Sequence, residues 1–163
     1  MANLGVSPNG ISLASMAFGL GAGVALAATS HFDGLALRAC ALGAAVLIQL
    51  RLLCNMIDGL VAVECERKTA TGDLWNEAPD RISDVCTLVG AGYAVGGLPV
   101  LGFAAALLAV LTAYIRALGA SVGAGQIFAG PGAKPQRMAI CTAGSLTVAL
   151  LPGLSQVWTI VLG

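Results

Sequence analysis

Most of the acidic residues of this sequence lie in one short stretch. Seven of the eight carboxylates fall between Arg51 and Asp84, and the same stretch holds Asn55 and Asn76, whose carboxamide oxygens can also act as ligands. The one histidine, His31, lies outside it. Carboxylate and carboxamide oxygens are the ligands that hard cations such as Mg²⁺, Mn²⁺ and Ca²⁺ prefer. The stretch therefore predicts a divalent-cation site.

Helical spacing brings these oxygens onto two helix faces. An α-helix turns by about 100° per residue, so side chains three, four or seven positions apart share a face. One such face on the predicted second helix carries Asn55, Asp58, Gly59 and Ala62, and one on the predicted third helix carries Asn76, Asp80 and Asp84. A short polar loop joins the two helices, so the two sets of oxygens can face each other.

Three of the acids, Asp58, Asp80 and Asp84, are embedded in apolar sequence. A carboxylate at the centre of a membrane costs about 2.5 to 3.5 kcal/mol unless water, a cation or a partner compensates it. A solvated surface with salt bridges explains the polar loop from Glu64 to Gly72. It explains the three embedded aspartates poorly, and they favour a functional site.

The composition of the whole chain is that of a membrane protein. Apolar residues make up 58% of the 163 positions and charged residues 10%, and the mean hydropathy is +0.90. Soluble domains carry about 25% charged residues, so this chain has too few for a surface in water. The net charge is zero, and no basic stripe indicates a nucleic-acid partner.

Apolar runs of about 20 residues, the length that spans a bilayer, recur along the chain. The predicted spans are 11–30, 35–62, a third that begins near Asp73 and is fully apolar over 85–95, 100–120, and 134–151. Only ten apolar residues, 154–163, follow Pro152 and Gly153. We expect them to form a short sixth helix or one cut off because the sequence is a fragment, and we prefer the fragment. The predicted fold is an all-α, polytopic membrane helix bundle in a single domain, 1–163.

The positions of lysine and arginine predict the orientation of the bundle, because cytoplasmic loops are enriched in both. With the N-terminus inside, the cytoplasmic side receives Arg67, Lys68, Arg81, Arg116, Lys134 and Arg137. The outer turns receive little beyond Arg38. The candidate site at 55–80 is thus expected at the cytoplasmic ends of the second and third helices, in a bacterial cytoplasmic membrane.

The same stretch resembles the motif of the CDP-alcohol phosphatidyltransferases, Asp-x2-Asp-Gly-x2-Ala-Arg-x8-Gly-x3-Asp-x3-Asp. Residues 55–80 fit its spacing without insertion or deletion, and five of its eight fixed positions match. The matching residues are Asp58, Gly59, Ala62, Gly72 and Asp80. Asn55 and Asn76 stand where the family has aspartates, and Val63 replaces its arginine.

The resemblance implies an enzyme that moves a phosphatidyl-type (substituted phosphate) group from a CDP-alcohol lipid to an acceptor alcohol and releases CMP, in phospholipid biosynthesis. It implies a Mg²⁺ or Mn²⁺ cofactor, and Asp80 as the residue that accepts the proton of the acceptor hydroxyl. The expected metal ligands, with Asp84 added from its helical spacing, are Asp58, Asn55, Asn76, Asp80 and Asp84. The expected contacts to the CDP moiety are Gly59, Ala62 and Gly72, and those to the acceptor or its phosphate are Arg116, Lys134 and Arg137.

Other interpretations stay open at this point. The three basic residues at the cytoplasmic ends of the fourth and fifth helices are equally well explained as topology anchors. The chain could also be a catalytically impaired relative that binds nucleotide lipid, as Asn55 and Asn76 favour, or an ion-coupled transporter. The acceptor is open among glycerol phosphate, inositol or its phosphate, serine and phosphatidylglycerol. The small residues of the third and fourth helices permit the homodimer that the resemblance implies.

Overall fold

The computed structural model describes the backbone of residues 8–64, 72–123, 134–154 and 156–162, and the side chains of residues 10–57, 77–123, 134–154 and 156–162. These residues form an all-α protein, as the sequence predicted. Its helices are α1 (Pro8–Ala28), α2 (Gly34–Glu64), α3 (Gly72–Tyr93), α4 (Pro99–Ser121), α5 (Lys134–Leu150) and α6 (Val157–Leu162). Two short 3-10 turns, Thr29–His31 and Pro152–Leu154, follow α1 and α5.

The helix boundaries follow from residues that end or begin a helix. Gly34 and Gly96 adopt positive φ angles of 57° and 71°, which glycine tolerates because it has no Cβ. Pro99 begins α4, where the N–H that proline lacks has no helical partner in any case. The expected polar loop between the second and third helices falls largely on residues 65–71, which lie outside the described residues.

Three helices within the described part of the chain are long and apolar enough to cross a membrane. They comprise Gly10–His31, Gly34–Ile57 and Pro99–Ser121. The third and fifth predicted spans do form helices, but α3 is charged over its first half and α5 has only 17 residues, beginning with Lys134. All five predicted spans therefore form helices. Three of these helices have the length and the apolar composition of a membrane span. The last helix, α6, is short, with six residues.

The helix α1 packs against both α2 and α3, while α3 packs against α4 and α2 against α5. The contact between α1 and α3 depends on glycine. A Cβ added to Gly90 would collide with the backbone of Gly23, and a Cβ added to Gly23 would collide with the carbonyl of Cys86. Small residues allow membrane helices to approach this closely. The interface holds α3, and with it the candidate site, in a fixed position beside α1.

This contact gives a first testable prediction, for Gly23→Ala. We expect this substitution to lower the free energy of unfolding by about 1 to 3 kcal/mol, since the added methyl group overpacks a backbone contact. Thermal unfolding in detergent measures the change. The matched control is Gly43→Ala in α2, where an added Cβ meets nothing within 4 Å. The two variants should differ clearly in stability, and equal stability would show that α1 and α3 are not in such close contact.

Candidate functional site

Five charged side chains from three helices meet at one place in the bundle. Arg51 extends from α2, Asp80 and Asp84 from α3, and Lys134 and Arg137 from α5. We refer to these five residues as the ion-pair cluster. They bring together the middle of α3 and the beginning of α5 across a buried arginine of α2. Two of the acids and two of the bases that the sequence analysis selected lie in this cluster.

The inner part of the ion-pair cluster is buried. The side chain of Arg51 is 0% exposed and that of Asp84 1% exposed. One guanidinium nitrogen of Arg51 donates to Oδ1 of Asp84 at 2.6 Å, and Arg137 donates to Oδ2 of the same carboxylate at 2.9 Å. Arg51 also donates to the backbone carbonyl of Asp80 at 3.2 Å and lies 3.1 Å from the sulfur of Met138. A buried charge needs such partners, because its desolvation is otherwise uncompensated.

The outer part of the ion-pair cluster is partly open. The side chains of Asp80, Lys134 and Arg137 are 15%, 18% and 17% exposed. Lys134 Nζ donates to Oδ2 of Asp80, and Arg51 lies 3.7 Å from Oδ1 of Asp80. With three bases and two acids, the cluster carries a net charge of +1 (3 − 2). Its open side therefore presents the carboxylate of Asp80 between basic groups.

Two further features of α3 and α2 lie beside the cluster. Pro79 sits inside α3 next to Asp80 and cannot donate a helical hydrogen bond. On α2, Oδ1 of Asn55 accepts a hydrogen bond from Ser15 of α1 at 3.0 Å. The Nδ2 group of Asn55 is buried and has no partner among the described residues. Asn55 thus uses its oxygen to join α1 to α2.

The structure describes the other predicted site residues only in part. Arg116 lies near the end of α4, outside the ion-pair cluster. The side chains of several predicted residues lie outside the described residues, so their roles stay predictions: Asp58, Gly59, Ala62, Gly72 and Asn76. The expected meeting of Asp58 with Asp80 is among these predictions.

Sequence reasoning missed the role of Arg51. In the sequence it is a single charge inside the apolar predicted span 35–62. Two signals could have identified it. A lone arginine inside an apolar span needs an acidic partner, and Arg51 lies four residues before Asn55, on the same helix face.

The described oxygens do not by themselves fit a divalent cation. Both carboxylate oxygens of Asp84 accept hydrogen bonds from arginines, and Asp80 is paired with Lys134 and Arg51. Asn55 Oδ1 is engaged by Ser15. Within the described residues, no group of three or more histidine, cysteine or acidic side chains is arranged to hold a metal ion. The prediction of Asp84 as a ligand is opposed by its two arginine partners.

An apolar groove of about 600 Å³ lies between α2 and α5. It is lined by Ala45, Val46, Gln49, Leu50, Leu52, Leu53, Met56, Thr142 and Leu146. Gln49 donates to the hydroxyl of Thr142 at 2.8 Å and so links the two helices. The groove is wide enough for part of a hydrocarbon chain and lies next to the predicted motif.

Comparison with known proteins supports the class of fold that the motif indicated. No family model matches the chain. The chain is 27% identical over 111 residues, 68% of its length, to inner membrane protein YnbA of Escherichia coli strain K12, and spans 55% of that protein, about half. The structure matches the crystal structure of Mycobacterium tuberculosis phosphatidylinositol phosphate synthase in apo form. That match has a TM-score of 0.72 and 20% identity, and it covers 99% of this chain and 84% of the synthase.

The mycobacterial synthase is a CDP-alcohol phosphatidyltransferase. The chain therefore has the fold of a CDP-alcohol phosphatidyltransferase, and its similarity to YnbA indicates distant homology with an inner membrane protein. The resemblance drawn from residues 55–80 is confirmed at the level of the fold.

Proposed function

We propose that this chain is a membrane phosphotransferase of phospholipid biosynthesis. It moves a phosphatidyl-type group from a CDP-alcohol lipid to an acceptor alcohol and releases CMP. The observation that carries this proposal is the position of Asp80, the last acid of the motif, between Arg51 and Lys134 on the partly open side of the ion-pair cluster. The match of the fold to phosphatidylinositol phosphate synthase of Mycobacterium tuberculosis supports the proposal.

In the proposed reaction, Asp80 accepts the proton of the acceptor hydroxyl. The hydroxyl oxygen then forms a bond to the phosphorus of the lipid phosphate, and the bond from that phosphorus to CMP breaks. Catalysis of such displacements comes mainly from positioning and from neutralising charge. Lys134 and Arg137, with Arg116 as a further candidate, provide positive charge for a phosphorylated acceptor or for the diphosphate.

The contact between Lys134 and Asp80 has a consequence for this reaction. While the two side chains are paired, the ammonium group of Lys134 occupies Oδ2 of Asp80. An anionic substrate competes with Asp80 for Lys134, because both are negatively charged. Binding of the anion would draw the ammonium group away and leave Asp80 free to act as the base.

The donor would lie along α2. Gly59, Ala62 and Gly72 are the proposed contacts to the CDP moiety, and the groove between α2 and α5 offers an apolar surface for a lipid chain. We retain Mg²⁺ or Mn²⁺ as the proposed cofactor, with Asp58 as its main ligand and Asn55 and Asn76 as further oxygens. When bound, the ion would neutralise charge on the diphosphate.

The setting of the proposed enzyme is the bacterial cytoplasmic membrane, with the site facing the cytoplasm. The apolar side chains exposed along α4, among them Val100, Leu107 and Ile115, are consistent with contact with lipid or with a second copy of the chain. The homodimer remains a prediction.

A second candidate function is a catalytically impaired protein that binds nucleotide lipid. Asn55 and Asn76 favour it, and so does the engagement of Asp80 and Asp84 by basic residues. An ion-coupled transporter is the third interpretation, and the same experiment separates it from the others.

That experiment measures CMP release by the purified chain in lipid vesicles. The vesicles contain CDP-diacylglycerol, and each acceptor is tested with Mg²⁺, with Mn²⁺ and with a chelator. We expect CMP to form only when a suitable acceptor is present. Saturable binding of the CDP-lipid without CMP release would contradict the enzyme and support the impaired relative. Neither binding nor release would contradict both.

A further inference from the structure

We propose that Arg51 and Arg137 take the place of a divalent cation at the acids of α3, so that this site binds no cation through Asp84. The inference specifies how the proposed enzyme would hold its cofactor. Its meaning for catalysis rests on the proposed function. It also assigns to Arg51 a role that the motif does not contain. Arg51 is a positioning residue, which fixes Asp84 and the backbone of Asp80.

Arginines already occupy both carboxylate oxygens of Asp84. The two oxygens of Asp84 accept hydrogen bonds from two different arginines at 2.6 and 2.9 Å, and the carboxylate is 1% exposed. A cation needs oxygen lone pairs directed at it and, for Mg²⁺, several waters as well. While both arginines are in place, Asp84 has neither free oxygen lone pairs directed at a cation nor exposure for its waters.

The second argument is charge. The ion-pair cluster already carries one more positive than negative charge, and Arg51 within it is fully buried. A divalent ion placed between Asp80 and Asp84 would raise the charge of this enclosed region to +3. Like charges this close repel strongly where water is excluded. The arginines therefore compete with a cation for the same carboxylates.

The two asparagines of the motif also favour fewer cations at this site. Asn55 and Asn76 remove two negative charges from positions where the family motif has aspartates. Oδ1 of Asn55 is used in a hydrogen bond from Ser15. A site with fewer acids and a buried arginine is suited to fixed positive charges from the protein, and Asp58 is then the proposed ligand of a metal.

Manganese binding tests this inference without depending on catalysis. Electron paramagnetic resonance counts the Mn²⁺ ions bound by the purified chain and by Asp84→Asn. We expect the number to stay the same and the dissociation constant to change by less than about threefold, since only a screened charge is removed. The matched control is Glu77→Gln, an exposed acid of α3 paired with Arg81, which should leave binding unchanged.

Three outcomes decide the matter. Loss of one bound Mn²⁺ in Asp84→Asn, or an affinity lower by more than about 100-fold as expected for a disrupted metal site, overturns the inference. Unchanged binding supports it. No Mn²⁺ bound to the original chain also supports it, while contradicting the cofactor of the proposed function.

A second variant covers the case in which Asp84→Asn does not fold. Arg51→Met/Asp84→Leu removes a buried pair together and leaves no unpaired buried charge from it. It should bind as many Mn²⁺ ions as the original chain. A smaller number would show that Asp84 is a ligand and would overturn the inference.

Discussion

Asp80→Asn is expected to lower CMP release by about 100- to 10,000-fold, the usual contribution of a general base. The carboxamide is close in size to the carboxylate but cannot accept the hydroxyl proton. Because Asp80 is 15% exposed and at the edge of the ion-pair cluster, the variant should still fold. The measurement is the initial rate of CMP formation at saturating donor and acceptor.

The control for this prediction is the same change at the opposite end of the helices, Asp33→Asn. Asp33 is exposed in the turn before α2, far in sequence from the motif. Its rate should match that of the original chain. A folded Asp80→Asn variant with an undiminished rate would remove Asp80 from the reaction and with it the proposed mechanism.

The second large effect concerns stability. Asp84→Leu is expected to lower the free energy of unfolding by about 3 to 5 kcal/mol, since removing one member of a buried ion pair leaves the other uncompensated. Among the described residues, Arg51, at 0% exposure, would keep the 3.7 Å contact with Asp80 Oδ1, the hydrogen bond to the backbone of Asp80 and the contact with the sulfur of Met138. Such a loss is a large share of the stability of an ordinary domain, about 5 to 15 kcal/mol.

The double variant Arg51→Met/Asp84→Leu tests the reason for this loss. Replacing both buried charges with apolar side chains of similar volume is often close to neutral. The double variant should therefore be more stable than Asp84→Leu alone, because Arg137 can turn its charge toward the open side. Thermal unfolding in detergent compares the original chain, Arg51→Met, Asp84→Leu and the double variant. Additive destabilisation would mean that the two side chains do not form a pair.

The sequence predicted the helices well because their signals are local. Long apolar runs, the turns at Gly34 and Gly96, and Pro99 at the start of α4 define the elements without knowledge of their neighbours. The observed α2 and α4, Gly34–Glu64 and Pro99–Ser121, differ from the predicted spans by one or two residues. Helix ends are where such differences are expected.

The ion-pair cluster could be predicted only in part. Helical spacing placed Asp80 and Asp84 on one face of α3, and position in the chain placed Lys134 and Arg137 at the same side of the bundle. Which base pairs with which acid depends on how three helices are arranged in space, and spacing along one helix carries no such information. For this reason the spacing along α3 predicts Asp84 as a metal ligand but carries no sign of its ion pairs with Arg51 and Arg137.

A structure of the chain with a CDP-lipid bound tests the central claim most directly. The claim predicts the cytidine diphosphate against the motif of α2 and α3, with a phosphate oxygen within hydrogen-bond distance of Lys134 or Arg137. The pair between Lys134 and Asp80 should be opened in that complex. A headgroup bound elsewhere on the bundle, with the five charged residues paired as they are without it, would contradict the claim.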